Sequence, residues 1–462
     1  MLQRAGALVL SAAVAGCSGC SAGSPATHRP RDAGGDAPKG ASSDEGALDG
    51  PVPEAGDAAE DVYGSNWDAG NMLSDPSIWT PVPDNGGCGL YVAKVVPDPF
   101  PKRQWSSCGT GCEVSDAPIA GLGDNNVLWG GVTASERSGR IYLQTSPDGV
   151  FGTDKPIHLL LTRRLDDGAT IAAVQERNYQ GCLSDGWGND AAFVFPIVRE
   201  EPTKDFVDRG GMIQGTEPGA PVTWGHWLSE SGFLGTTFAW DDGWGLGLNG
   251  ALYVNTSPDQ TAFQIVHSGN DLEVYGRGKL VVWYASDGGK QNAIESYTVS
   301  GGLETLVKLK QGVVWSVALS DTTMAWIVVD GMDWAKYRFT SANLYWSPVA
   351  TDASALVIHG PIPLPSSSDT SAYTELRVGG DYAASHGCPQ DTCPIAVAKL
   401  STGKVWQIPP RPGSGYWGVM AVSRNTLLAA ETNSPQIGMD HQYVRRFVRF
   451  STAELDALEK GW

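Results

Sequence analysis

The densest group of residues that could do chemistry lies in the stretch WGHWLSESGFLGTTFAWDDGWGLG, from Trp224 to Gly247. It combines aromatic rings, one histidine and two adjacent carboxylates: Trp224, His226, Trp227, Trp240, Asp241, Asp242 and Trp244. Aromatic faces stack on apolar ring faces of a ligand, while carboxylates accept hydrogen bonds from hydroxyl or amide groups. The stretch therefore predicts a surface that binds a carbohydrate or a peptide. The alternative is that the tryptophans pack between sheets and that the two aspartates form a surface turn.

Strings typical of common catalytic classes give no support to an enzyme, since the sequence contains no HExxH or GxxxxGK[ST] motif and its single GxSxG match, Gly19 to Gly23, lies in the Gly- and Ala-rich N-terminal region and not between a strand and a helix. A GxGxxG match at Gly245, Gly247 and Gly250 precedes a strand-like run, so it offers no helix N-terminus to a pyrophosphate. Carboxylates in DDGW and in DGMDW could bind Ca²⁺, but neither string follows the calcium-loop pattern. We therefore predict no catalytic residue, no metal and no cofactor. The sequence leaves enzyme activity open and favours its absence.

The eight cysteines fall into two groups. Cys17 and Cys20 lie near the N-terminus, and the others form an even set: Cys88, Cys108, Cys112, Cys182, Cys388 and Cys393. In an exported protein such cysteines usually pair. We predict a disulfide between Cys388 and Cys393, while the remaining four allow three connectivities among which the sequence does not choose. A zinc site at CGTGC lacks a second CxxC and a histidine at finger spacing.

The N-terminus has the composition of an export signal. Residues 1–16 place Arg4 before an apolar stretch that is too short to span a membrane permanently. The signal ends in VAGC, which resembles the bacterial lipobox. The resemblance implies a diacylglycerol thioether and an added acyl chain, such as palmitate, on Cys17, and two or more acyl chains anchor firmly. An ordinary secretory signal is the alternative, and Ser18, where an inner-membrane lipoprotein has Asp, favours the outer membrane of a Gram-negative bacterium.

Residues 17–75 form a second region, rich in Gly, Ala, Pro and Asp and nearly devoid of β-branched or aromatic residues. Such a composition buries too little apolar surface to offset the entropy of ordering, so we predict a disordered acidic tether. The whole chain is acidic as well, with 32 basic and 51 acidic residues and a formal net charge of −19. A surface of this charge repels phosphate groups, which excludes nucleic acid as a partner.

Residues 76–462 carry two repeating patterns, and the first is a polar turn followed by an apolar run. It begins at seven positions: Gly123, Asp167, Ser229, Gly276, Ser320, Gly379 and Ser423. Successive positions are 44 to 62 residues apart, close to the length of a four-stranded propeller blade with insertions in the two longer units. The second pattern is an alternating run around a central bulky residue, at Tyr142, Tyr253, Tyr297, Tyr345, Val397 and Phe447, with Phe193 as a poorer match. The two patterns interleave.

The interleaving predicts an all-β protein, a β-propeller with seven blades, with six or eight as the alternatives. A pair of β-sandwiches is the competing architecture. The end of the chain after Ser423 supplies no evident last outer strand. We therefore predict that an N-terminal strand near Leu90 completes the last blade and closes the ring.

In its blade pattern and its lipobox the chain resembles bacterial surface lipoproteins with a WD40-like or TolB-like propeller. The resemblance includes no active-site motif. It implies a non-catalytic platform in the cell envelope that presents loops to a protein, a peptide or a glycan, and we expect a monomer. The alternative is an exported hydrolase or lyase that acts on polysaccharide in the central funnel.

Overall fold

The protein is described here by a computed structural model. The described residues are 76–81, 90–93, 103–116, 125–134, 140–147, 158–176, 192–201, 204–214, 222–226, 236–240, 243–248, 251–256, 264–268, 274–287, 290–331, 341–365, 376–386, 394–409, 417–432 and 444–456. In this part of the chain the regular structure consists of β-strands and short 3₁₀-helices, including Pro76–Ile78 and Ala353–Ala355. None of its helices has the length and apolarity needed to cross a membrane.

The strands are numbered in chain order. The first eight are β1 (Trp79–Pro81), β2 (Leu90–Ala93), β3 (Ser106–Gly109), β4 (Cys112–Asp116), β5 (Asn125–Ala134), β6 (Ile141–Pro147), β7 (His158–Arg164) and β8 (Thr170–Glu176). The next eleven are β9 (Ala192–Glu201), β10 (Lys204–Gln214), β11 (Val222–His226), β12 (Thr236–Trp240), β13 (Gly243–Leu248), β14 (Ala251–Asn255), β15 (Gln264–Ser268), β16 (Val274–Arg277), β17 (Leu280–Asp287), β18 (Lys290–Thr298) and β19 (Gly302–Lys308). The last eleven are β20 (Val313–Leu319), β21 (Thr323–Asp330), β22 (Ser341–Pro348), β23 (His359–Pro363), β24 (Arg377–Gly379), β25 (Tyr382–His386), β26 (Ile395–Lys399), β27 (Lys404–Ile408), β28 (Trp417–Val422), β29 (Thr426–Thr432) and β30 (Val444–Ser451).

These strands form antiparallel sheets that follow one another along the chain. We number the sheets along the chain and call the first strand written for each its leading strand. The first to the seventh sheet are β5-β6-β7-β8-β2-β1, β9-β10-β11, β12-β13-β14-β15, β16-β17-β18-β19, β20-β21-β22-β23, β24-β25-β26-β27 and β28-β29-β30-β4-β3. From the second sheet to the seventh, and on to the first, the leading strand of each sheet contacts the leading strand of the next. The leading strands therefore surround a common centre.

The core lies between sheets. Separate apolar clusters join the third sheet to the fourth, the fourth to the fifth, the fifth to the sixth, the sixth to the seventh and the seventh to the first. Trp283 and Trp326 are fully buried in two of these clusters. Face-to-face stacking of successive small sheets around a centre is the architecture of a β-propeller, which confirms the predicted fold. The described strands fall into seven sheets, and the blade count of the complete ring stays a prediction.

The seventh sheet joins both ends of the described chain. C-terminal β30 pairs antiparallel with N-terminal β4, with Arg449 opposite Glu113 and Phe450 opposite Cys112. The predicted closure by an N-terminal strand is therefore confirmed, but the prediction that the strand near Leu90 supplies it is wrong. That strand, β2, pairs instead with β8 at the outer side of the first sheet. The alternation in its sequence indicated a strand correctly, but alternation does not specify the partner.

The first repeating pattern marks hairpins in four consecutive sheets. The matches that begin at Gly276, Ser320, Gly379 and Ser423 span the connection from the first to the second strand of the fourth to the seventh sheet. The match at Asp167 instead lies between the third and fourth strands of its sheet, the one at Gly123 precedes a leading strand, and the one at Ser229 starts outside the described residues. For the second pattern, Tyr253, Tyr297, Tyr345, Val397 and Phe447 lie on third strands, whereas Tyr142 and Phe193 do not.

The repeated hairpins have a local chemical cause. Ser320 Oγ accepts a hydrogen bond from Thr323 N at 3.0 Å, and Ser320 N donates to Thr323 O at 2.8 Å. Ser423 and Thr426 repeat both bonds, at 3.1 and 2.8 Å. A serine that bonds the backbone of its own turn specifies a tight reversal, so these two turns were recognisable in the sequence.

Candidate functional site

The residues predicted to bind a ligand between positions 224 and 244 lie on two sheets. Trp224 and His226 belong to β11, where they are paired with Gly211 and Arg209 of β10. Trp240 ends β12, the leading strand of the next sheet. Trp227, Asp241 and Asp242 lie outside the described residues. The backbone thus places these positions on the third strand of one sheet and on the first two strands of its neighbour, with Trp244 in β13.

The register between β12 and β13 separates the two tryptophans of the third sheet. Trp240 is paired with Gly243, and Trp244 is paired with Ala239. Partners directly opposite each other share a face of the sheet, and successive positions alternate between faces. The backbone therefore places positions 240 and 244 on opposite faces of this sheet. Ligand binding by this stretch stays a prediction.

A disulfide joins Cys108 to Cys112, with their Cα atoms 5.2 Å apart. It spans the turn between β3 and β4 and so links the two N-terminal strands that complete the seventh sheet. The sequence left the pairing of these cysteines open, and the structure decides it for this pair. The other predicted disulfide and lipidation positions, Cys17, Cys88, Cys182, Cys388 and Cys393, lie outside the described residues.

The surface feature that stands out among the described residues is a group of exposed aliphatic side chains. Val299, Leu303, Val357 and Ile358 are 48%, 48%, 56% and 51% exposed, and the described residues contain no other large hydrophobic side chain exposed to this degree. Val299 and Leu303 lie at the turn from β18 to β19, and Val357 and Ile358 lie in the connection from β22 to β23. Both connections follow the third strand of their sheet, so they lie at the same end of two neighbouring blades. We call these four residues the rim surface.

Specific contacts hold the two halves of the rim surface together. Ala353 N donates a hydrogen bond to Glu304 Oε1 at 2.9 Å, which fastens the connection from the fifth sheet onto β19 of the fourth. Leu356 packs against the apolar cluster between these sheets. The connection is therefore anchored at both points, while the next two residues, Val357 and Ile358, face solvent.

Asp352 shapes the same connection. Its carboxylate accepts hydrogen bonds from the Ser354 hydroxyl and from Ala355 N, at the start of the short helix Ala353–Ala355. The bond from Ser354, followed by the one from Ala355, holds the pKa of this carboxyl below its usual value. The rim surface thus has a carboxylate beside it that stays ionised at neutral pH.

An aromatic pair adjoins the rim surface. Trp346 and His359 are register partners in β22 and β23, and their rings stack with centroids 4.2 Å apart at 18°. His359 follows Ile358 directly and is exposed. The edge strand β23 contains Pro361 and Pro363, which have no N–H to donate to another strand. This edge therefore offers fewer backbone N–H donors to a further strand.

Several described carboxylates support the architecture. Asp381 accepts from Ser401 N at 2.8 Å and fixes a turn, and Asp456 pairs with Lys399 at 2.7 Å. Asp167 pairs with Arg164 at 2.7 Å. Within the described ranges no group of three His, Cys, Asp or Glu side chains is placed to hold a metal ion.

Asp167 lies in the β7–β8 turn, where a backbone N–H and a guanidinium contact its carboxylate. Burial, the largest influence on it, acts to raise its pKa, but a hydrogen bond from Ala169 N and the Arg164 guanidinium together outweigh burial. The pKa therefore lies below its ordinary value. The ionised form of Asp167 is therefore stabilised by the contacts that fix this turn.

The seam between the first and seventh sheets carries an arginine-centred network that no sequence pattern indicated. Arg449 Nε donates to Glu113 Oε2 at 2.7 Å, Arg449 Nη1 donates to Asp166 Oδ1 at 2.9 Å, and its guanidinium lies 4.1 Å from the ring centroid of Trp105. These contacts join β30, the N-terminal segment and the β7–β8 turn. The partners are distant along the chain, so local reasoning on the sequence had no signal for them.

Comparisons with known proteins return fold relatives alone. No protein-family model matches the chain, and no curated protein matches it. Solved structures similar to it include oligogalacturonate lyase from Vibrio parahaemolyticus, at 9% identity over 78% of this chain and 97% of that one, with a TM-score of 0.45. TolB from Acinetobacter baumannii matches at 9% identity over 67% of this chain, with a TM-score of 0.32, and the match spans 63% of TolB, less than two thirds of its length. A putative TolB from Agrobacterium tumefaciens matches at 10% identity over 57% of this chain and 90% of that one, with a TM-score of 0.31.

Proposed function

We propose that the protein is an exported, lipid-anchored β-propeller that acts as a non-catalytic interaction platform for a protein, a peptide or a glycan. The observation that carries the proposal is the rim surface, where four aliphatic side chains about half exposed lie at the same end of two neighbouring blades. A single exposed aliphatic residue is ordinary, but a group of them on one surface favours a contact with a partner.

The described carboxyl groups whose pKa is shifted have structural roles in turns. Polysaccharide hydrolysis commonly uses two carboxyl groups, one of which has a raised pKa and acts as the acid. The two described carboxyls whose pKa is shifted, Asp167 and Asp352, are both shifted downward by hydrogen bonds within turns. These groups stabilise the fold and are poor proton donors at neutral pH.

The stretch from Trp224 to Trp244 is the second candidate surface within this proposal. The backbone register places positions 240 and 244 on opposite faces of their sheet. Each therefore has to be tested by its own substitution.

The proposed anchor is a diacylglycerol thioether on Cys17, with residues 17–75 as the tether between a bilayer and the propeller. The lipobox and the composition of the tether support this arrangement. Cys17→Ser is expected to abolish labelling of the protein by a palmitate analogue in cells. Labelling that persists in this variant would contradict the anchor.

The proposal is tested on glycan and peptide arrays with the full chain in a neutral detergent. Three variants are compared with the unmodified chain: Trp240→Ala, Trp244→Ala and the double variant Leu303→Ser/Ile358→Ser. We expect binding to at least one ligand class, and loss of binding at an unchanged melting temperature identifies the surface responsible. Failure of the unmodified chain to bind any arrayed ligand would contradict the platform proposal.

A further inference from the structure

We infer that the rim surface binds a protein segment in which aliphatic side chains alternate with lysine or arginine. The inference rests on the proposed function and specifies the partner for one of its surfaces. Its basis is the exposed aliphatic side chains of the rim, the charges beside them and the net charge of the whole chain.

The aliphatic side chains of the rim are exposed to solvent, while the backbone that carries them is held by hydrogen bonds and packing. In β19 the exposed or half-buried residues run from Gly302 to Thr305, and the following Leu306 and Val307 are buried. The turn before β19 is fixed by Gly301 N, which donates to Thr298 Oγ1 at 2.9 Å. Exposed aliphatic groups on a backbone that is already ordered lose little conformational entropy when a partner covers them.

The two connections that form the rim carry charges of one sign, and exposed Lys279 lies in the neighbouring β16–β17 turn. Residues 297–307 and 341–363 contain no lysine or arginine, and their carboxylates are Glu304 and Asp352. Each accepts a backbone hydrogen bond, from Ala353 and Ala355, which holds both at the base of the rim.

The charge of this surface favours one class of binding partner over the others. A cationic segment is attracted by Glu304 and Asp352 and by a chain whose formal net charge is −19. A second copy of the chain would bring the same acidic rim and the same net charge, and an anionic bilayer surface would be repelled as well. A basic, aliphatic protein segment satisfies both the apolar and the electrostatic character of the surface.

The test uses three synthetic peptides of equal length: alternating leucine and lysine, alternating leucine and glutamate, and alternating serine and lysine. Fluorescence anisotropy measures their binding to the full chain in neutral detergent, with detergent alone as the blank. We expect the leucine-lysine peptide to bind, with an affinity that falls as salt rises, because screening weakens the ionic part. The other two peptides should bind at least about tenfold more weakly, since each lacks one of the two contributions.

Variants assign the binding to the rim. Leu303→Ser/Ile358→Ser should weaken the leucine-lysine peptide by about tenfold or more, and Glu304→Gln/Asp352→Asn should weaken it and flatten the salt dependence. Gln407→Ser, an exposed position on β27 of the sixth sheet, serves as the matched control and should have no effect. If the double serine variant fails to fold, Val299→Ser alone gives a smaller change in the same direction.

Three outcomes would overturn the inference: no binding of the leucine-lysine peptide, equal binding of the leucine-glutamate peptide, or equal affinity in the rim and control variants. Self-association that disappears in the rim variant would assign the surface to a second copy and overturn it too. Array binding that survives in the rim variant and is lost with Trp240→Ala or Trp244→Ala would leave the platform function standing while this inference fails.

Discussion

Arg449 contacts residues of three segments where the ring closes, from its own strand β30 to the N-terminal segment and the β7–β8 turn. It is half-buried, pairs with two carboxylates and lies over the indole of Trp105. Because Glu113 and Asp166 are about half exposed, the ion pairs themselves contribute modestly. The stacking on Trp105 and the packing of the aliphatic stem add to them.

Replacement of Arg449 by methionine keeps much of the apolar stem and removes the charge. We expect Arg449→Met to lower the free energy of unfolding by about 1–2 kcal/mol, measured by urea denaturation. Lys404→Met is the matched control, because Lys404 is an exposed cation near the Trp406 ring, 5.7 Å away, outside the seam. Equal effects of the two substitutions would show that Arg449 has no special part in closure.

Asp167 gives a prediction about pH. Its folded-state pKa lies below the unfolded value, so the ionised carboxylate contributes stability above about pH 3.9, the ordinary value. That contribution is lost as the pH falls through the folded-state pKa. Asp167→Asn should therefore lower the melting temperature at neutral pH and have a smaller effect at about pH 3.

The measurement is thermal unfolding of the unmodified chain and of Asp167→Asn at both pH values. Thr110→Ala, an exposed position in another turn, controls for general effects of substitution. A deficit that is the same at both pH values would mean that the charge of Asp167 contributes nothing to stability.

At the scale of the elements, the repeated serine turns make a second stability prediction. Ser320 and Ser423 are buried, and each accepts a hydrogen bond from the threonine three residues later. Serine to alanine leaves that buried N–H without its acceptor, so each of Ser320→Ala and Ser423→Ala should cost about 1 kcal/mol. Ser300→Ala, in an exposed turn, should be nearly neutral.

Chemical denaturation of the three variants measures these costs. Because Ser320 and Ser423 occupy equivalent turns of the fifth and seventh sheets, their effects should be alike. Unequal costs, or costs as small as that of Ser300→Ala, would contradict the view that the first repeating pattern is a structural unit of the blade.

The elements also show which parts of the account a sequence can supply. Turns such as Ser320 to Thr323 are specified by residues a few positions apart, so their pattern revealed the repeat and the all-β class. The pairing of β30 with β4 joins Arg449 to Glu113 across 336 positions. The sequence of β4, CEVSD, is too short and too polar to predict a strand. The rim surface was missed because its two halves are ordinary connections until packing brings them onto adjoining blades.

At the scale of the whole molecule, the ring depends on residues that precede its first repeating strand. β3 and β4 supply two of the five strands of the seventh sheet, and the Cys108–Cys112 disulfide links them. A propeller without its closing strands exposes the edge of β30 and the apolar cluster beneath it. The closure therefore stabilises every blade indirectly.

Two truncations test this dependence. Removal of residues 78–118 should abolish cooperative thermal unfolding, because it deletes β4. Removal of residues 18–70, most of the predicted tether, should leave the melting temperature nearly unchanged. Calorimetry of the two truncated chains beside the full chain decides, and a cooperative transition after the first deletion would contradict closure by β4.

The central claim, that the protein binds without catalysis, is tested most directly by mass spectrometry of the ligands that the full chain retains on the arrays, recovered after prolonged incubation at neutral pH. The account predicts that each retained ligand returns with its original mass, and that retention falls when Leu303 and Ile358, or one of Trp240 and Trp244, is replaced. A retained glycan that returns as shorter oligosaccharides would contradict the claim and establish the exported polysaccharide-active enzyme in its place.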